Sequence, residues 1–243
     1  MSGYTPVTSP GLPPFSQAFL RLGAALTAVV LQQQETLSEL LPREDWNADL
    51  TARTYSSGGV TVRVSLLGSY AEQEQTWLWG WANTQFGPEH PAVAPILDLR
   101  TVGERLGIGE LTTPEVDLSG YGGPATHGGE LVAVVAAGLL GGGGYIGAGY
   151  PGGSAYLHVD DPRVPRAEWD PVQVARLVFN ATSLFPTDHR LTLARFLSHH
   201  QVAYRETPAS VETFLPGGGT ATAGFDESGR FSGWETELTA MNL

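Results

Sequence analysis

Val60-Thr61-Val62-Arg63-Val64-Ser65-Leu66 alternates apolar and polar side chains without a break. That period of two puts the apolar set on one face of an extended strand and the polar set on the other. Ser57-Gly58-Gly59 supplies a turn before it, and Thr76-Trp77-Leu78-Trp79-Gly80-Trp81-Ala82-Asn83 reads as the next strand. Gly68 to Gln75 between them is polar and turn-like. Residues 46–83 therefore predict an antiparallel meander with one buried face.

On the amino-terminal side, Phe19, Leu22, Leu26, Val29, Val30, Leu37 and Leu40 recur at helical intervals. They predict a long helix over Ser16–Leu41, apolar on nearly every side of its first half and packed against two neighbours. Residues 1–14 hold four prolines among small residues and read as a flexible arm.

On the carboxyl-terminal side, Pro95 opens a helix carrying Ile96, Leu99, Val102 and Leu106, which Gly107 and Gly109 end. An extended stretch is expected over Glu110–Leu118 and a loop over 119–129. Glu130–Leu140 reads as a buried helix, with a buried strand as the alternative, stopped by Gly141–Gly144. Two short strands then turn at Pro151-Gly152-Gly153. Asp170-Pro171-Val172-Gln173 starts a helix, Thr187 starts another that ends near His199 and His200, and the tail forms strands with a hairpin at Asp226–Gly229. The fold class is α+β, an antiparallel β-meander and hairpins with helices packed around them. It divides into the 1–14 arm, an N-terminal half over 15–118 and a C-terminal half over 119–243, separate or fused.

Composition excludes more than it assigns. The chain has 243 residues, all 13 basic ones are Arg, and Cys is absent. Without Lys there is no Schiff-base chemistry and no Walker A loop. Without Cys there are no disulfides, thiolate metal sites or cysteine nucleophiles. A charge of −12 with scattered Arg argues against nucleic acid and anionic membranes. It suits a basic partner protein. Arg, Ala, Gly and Pro usage fits a GC-rich bacterial genome. No basic segment precedes an apolar stretch, so a cytoplasmic protein is expected.

Trp77, Trp79, Trp81 and Asn83 share one face if the strand runs through them. They are expected to pack as core; the alternative is an aromatic platform that stacks a ring, a sugar or a cation. From Leu67-Gly68-Ser69 through Asn83, with a looser match at Glu110-Leu111-Thr112 and Phe225–Arg230, the sequence resembles a family of uncharacterised bacterial proteins, a domain of unknown function. The resemblance covers most of the chain beyond the arm and implies membership without a mechanism.

His158 and Asp160 share the end of a strand, with Asp161 beside them. They form a candidate acid–base or metal pair, against the simpler reading of Asp160-Asp161-Pro162 as turn chemistry. Gly147-Ala148-Gly149-Tyr150-Pro151-Gly152 matches G-x-G-x-x-G but leads into a strand, so it reads as a glycine-rich loop. No cofactor and no metal is expected. Three roles remain: a non-catalytic protein-binding protein of inhibitor or immunity type, slightly preferred; a small-molecule binder or enzyme with a Trp/Tyr-lined pocket; and a scaffold.

Overall fold

The structure is a computed structural model and describes residues 15–42, 44–121, 125–215 and 218–237. The proline-rich arm of residues 1–14 lies outside the described residues. That helix, α1 (Gln17–Leu40), starts at Ser16, whose hydroxyl accepts from the Phe19 amide at 3.2 Å. The Ser16 amide and hydroxyl both donate to the Glu110 carboxylate, which pins the helix entry to a distant segment.

A seven-stranded antiparallel sheet forms the body. β1 (Trp46–Asp49), β2 (Thr54–Ser57), β3 (Val60–Ala71), β4 (Thr76–Trp79) and β5 (Glu115–Asp117) follow in order. β7 (Gly153–Val159) also pairs with β3, and β6 (Tyr145–Tyr150) pairs with β7. The stretches 15–118 and 119–243 thus share one sheet.

The expected alternation in β3 holds only as far as a bulge. Leu66 pairs with Leu157 and Gly68 with Tyr156, so Leu67 is the extra residue. One extra residue reverses the facing of everything after it. Val62, Val64 and Leu66 pack with Leu157 and Val159 on one side of the sheet. Leu67 and Tyr70 pack with Trp77, Trp79 and Tyr156 on the other. Gly68 lies beneath the Trp77 ring, where an added Cβ would sit 2.7 Å from the indole.

That second face is covered by α4 (Ala125–Leu140), which is helix and not strand, and α1 packs against α4. α1 also packs on α5 (Val174–Leu184) and α6 (His189–His199). Beyond these helices is a four-stranded antiparallel sheet. Its order is β11 (Phe231–Glu237), β10 (Thr220–Phe225), β9 (Ser210–Phe214), β8 (Tyr204–Glu206). A separate apolar core between helices and sheet includes Val174, Leu177, Phe196, Val211 and Ala223. Among the described residues no helix is long and apolar enough to cross a membrane.

Four local expectations are corrected. The tryptophan strand stops at Trp79, and Gly80–Ala82 forms a 3-10 turn. Gly80 approaches the Leu66 carbonyl so closely that a side chain there would collide with it. β3 runs to Ala71, which shortens the polar turn of 68–75 to its last four residues. Glu110 lies in a short helix, α3 (Gly109–Thr112), after α2 (Asp98–Leu106), so only Glu115–Asp117 of the expected extended stretch is strand. The last helix begins after Asp188, whose carboxylate accepts from the Leu191 amide at 2.9 Å, rather than at Thr187.

Three consecutive glutamines on α1 tie these layers together. Gln32 donates to the Glu168 carbonyl at 2.7 Å and meets His200 Nε2 at 2.8 Å. Gln33 donates to the Pro165 carbonyl at 2.9 Å and accepts from the Ala167 amide at 3.0 Å. Gln34 engages both backbone groups of Tyr145, at 3.0 and 2.7 Å. Each amide fills backbone valences that burial would otherwise leave unmet.

Trp79 is fully buried, whereas Trp81 is partly exposed. Trp79→Ala is expected to cost about 3–5 kcal/mol, and Trp81→Ala less. Denaturant melts check this; a Trp79→Ala protein as stable as the parent would contradict the packing.

Candidate functional site

The sequence-predicted residues separate into three environments. Trp77 and Trp79 have no exposed surface and meet edge to face at 5.4 Å. The Trp79 indole donates to the Glu110 carbonyl at 2.9 Å. Trp81 stacks on Trp79 at 6.5 Å, and the Arg100 guanidinium sits 5.5 Å from its ring centre. Asn83 closes the turn after them, its side-chain oxygen accepting from the Gln85 amide at 2.9 Å. A ligand cannot stack on the Trp77 and Trp79 rings as they are placed, because protein already covers both.

His158 and Asp160 each have their own partners. His158 Nε2 bonds the Gly141 carbonyl. Burial lowers its pKa, partly offset by that bond and by the Asp160 charge. Asp160 receives Arg53, Arg63 and Ser65. Burial opposes its ionisation, but the hydrogen bonds from Arg63 and Ser65 and the charges of Arg53 and Arg63 outweigh it, leaving the pKa low. Asp161 is held well below the usual carboxylate range, chiefly by hydrogen bonds from Arg163, with the Arg63 amide adding to them. Arg53 sits in the left-handed region at φ 58°, an unusual place for a side-chain-bearing residue. This network fastens the β2–β3 ribbon to the end of β7. Among the described residues no three of His, Asp and Glu gather as metal ligands. The G-x-G-x-x-G match lies in the β6–β7 hairpin, with Gly152 at φ 87° in the turn.

A cleft of about 620 Å³ that the sequence did not single out gathers aromatic and acidic side chains from distant parts of the chain. Its volume is within the range of about 300–1,000 Å³ typical of small-molecule sites. It opens between the end of α1, the segment leading into β1, and strands β6 and β7. Trp46 and Tyr55 form one wall, stacked at 5.7 Å with ring planes 17° apart. Trp46 is 44% exposed, so its ring offers free surface. Tyr145 and Tyr156, 6.4 Å apart, form a second wall. Glu44 and Glu130 add carboxylates. Gln34 fixes the backbone of Tyr145, and the Ser57 hydroxyl holds the Glu44 segment by donating to the Pro42 carbonyl at 2.8 Å and accepting from the Glu44 amide at 3.2 Å. Burial raises Tyr145 and Tyr156 above the ordinary phenol range, and the charge of Glu130 adds to it. Both phenols therefore stay protonated near neutral pH. No cationic side chain lines the cleft among the described residues.

The residue types were readable, but their convergence was not. Trp46, Tyr55, Glu130, Tyr145 and Tyr156 are spread over more than a hundred positions, and no local spacing joins them. They lie on β1, β2, β6 and β7, which β3 joins into one sheet, and on α4, which packs over it.

Residues 20–162 match the sequence model of DUF6882, a family of unknown function, and the chain belongs to that family. The matched stretch contains every residue of the cleft named above, and Arg53, Arg63, Ser65, Asp160 and Asp161 of the network, but ends one residue before Arg163. No curated protein matches the chain, and no solved structure does.

The pH dependence of the arginine–aspartate network follows from its sign. Folding lowers the pKa of both Asp160 and Asp161. Their stabilisation is complete above the unfolded carboxylate value of about 4 and is lost as the pH falls through the folded values. Asp161→Asn should cost about 1–3 kcal/mol at neutral pH and flatten the acid limb of the stability curve. Urea melts across that limb test this; an unchanged limb in the variant would show that other groups control it.

Proposed function

We propose that this is a non-catalytic, cytoplasmic bacterial binding protein whose aromatic cleft takes a small organic cation. The observation that carries the reading is the pairing of a stacked, partly exposed Trp46–Tyr55 wall with Glu44 and Glu130 in one cleft. Aromatic faces attract cations through the ring quadrupole, and carboxylates supply the matching charge. Each cation–aromatic contact contributes about 0.5–2 kcal/mol, more as water is excluded. Gln34 and Ser57 hold the backbone of the two walls, which limits the ordering cost of binding.

Binding rather than turnover is supported by the state of the titratable groups. General acid–base catalysis works best with groups near the operating pH. The two phenols are moved away from it. The buried imidazole of His158 is held by Gly141, outside the cleft.

A second reading keeps the same chemistry but takes the cation from a basic partner protein. It is favoured by the charge of −12 and would place a partner's Arg or Lys side chain between the two aromatic walls.

Calorimetric titration with choline, spermidine and free arginine tests the primary reading. At least one should bind in the micromolar-to-millimolar range and quench Trp46. Trp46→Ala should weaken it by about 2- to 30-fold, the factor that corresponds to one cation–aromatic contact. Glu130→Gln should weaken it further, and a neutral analogue should fail to bind. Absence of binding by all three cations at millimolar concentration would remove the small-molecule reading.

A further inference from the structure

A second concavity, of about 630 Å³, lies where α1, α4 and α6 meet the glycine run after α4. Its lining is unlike that of the aromatic cleft. Leu26 and Val29 of α1 and Leu139 and Leu140 of α4 are only partly buried, whereas Val132, Ala133, Val135 and Ala136 of α4 have no exposed surface. Gly138 allows the close approach of the two helices at its floor; an added Cβ would stand 2.7 Å from Leu26 Cβ. Water in contact with such a trough gains from being displaced by hydrocarbon.

The charges around the trough have one sign. Arg166, Arg195 and His199 border it, and among the described residues no Asp or Glu does, in a chain carrying 25 acidic residues against 13 basic ones. Arg166 donates to the Gly142 carbonyl. Among the described residues neither Arg166 nor Arg195 takes part in an ion pair. Burial and the nearby Arg166 both lower the pKa of His199. An apolar trough with a guanidinium rim is complementary to a molecule with a hydrocarbon tail and an anionic head. Guanidinium groups match the planar carboxylate with two parallel hydrogen bonds.

We propose that this groove binds a single-chain aliphatic carboxylate, the tail lying along Leu26, Val29, Leu139 and Leu140 and the head meeting Arg195 and Arg166.

Titration with dodecanoate below its micellar concentration tests the assignment, with dodecanol and dodecyltrimethylammonium as matched neutral and cationic probes. Dodecanoate should bind one to one and at least tenfold more tightly than either. Arg195→Glu, a change at an exposed position, should weaken dodecanoate at least tenfold and leave thermal stability unchanged. Leu26→Asp should weaken all three probes. Trp46→Ala should leave dodecanoate binding intact, which separates this groove from the aromatic cleft. Equal affinity for the three probes, or unaltered binding in Arg195→Glu, would overturn the assignment. So would a stable dimer in sedimentation that Leu26→Asp dissociates, because a second copy would then occupy the groove.

Discussion

The rest of the structure depends on burying α4. From Leu131 to Leu140 it has no charged side chain and no side-chain hydrogen-bonding group. A helix that is apolar all round needs cover on more than one side. The sheet supplies one side, through Tyr70, Tyr156 and the Trp77–Trp79 pair, and α1 supplies another. Each Val or Leu so enclosed contributes about 1.5–3 kcal/mol. The requirement passes outward to α1, which must itself carry two apolar faces. Small residues let it approach both partners. Gly138 of α4 admits Leu26, and Gly23 of α1 lies so close to the Phe185 ring that a side chain there would collide with it.

This layering explains which parts of the fold the sequence made legible. Long periodic segments were readable because burial of one face repeats at a fixed interval. α1, the β6–β7 hairpin and the β10–β11 hairpin are all where their patterns put them. The tryptophan ladder was misread in one respect. Period two continues through Trp81, but Gly80 can approach the Leu66 carbonyl where any other residue would clash, and the chain turns there. The reversal of facing in β3 was equally invisible, because a bulge depends on which residue the partner strand offers opposite. The α3 helix was hidden by its length, since four residues cannot show a helical period.

The candidate site was less legible than the fold, for a related reason. Trp77 and Trp79 drew attention because they are close in sequence, and closeness in a strand is also what a packed core produces. The exposed indole of the cleft is Trp46, an isolated residue in a polar stretch. Gln32, Gln33 and Gln34 gave no signal as a run of polar residues on an apolar helix. Their roles appear only with the backbone groups they meet, more than a hundred residues away for most of them.

Those glutamines also lie where the two concavities meet along α1. Gln33 borders the apolar groove and Gln34 the aromatic cleft. On α1 the groove spans residues 25–33 and the cleft residues 34–38. At about 1.5 Å per residue their centres stand roughly 10 Å apart along the helix. The screening length at physiological salt is about 8 Å. At exposed mouths separated by more than that length, local charges outweigh the net charge of the chain. Two neighbouring concavities can then prefer opposite ions within one acidic protein: on the readings proposed above, Glu44 and Glu130 would set the preference of the first, and Arg166 and Arg195 that of the second. Lowering the ionic strength should erode this independence, because the field of the whole molecule then reaches both mouths. It would strengthen cation binding in the cleft more than anion binding in the groove, since the net charge of −12 favours the first ligand and opposes the second.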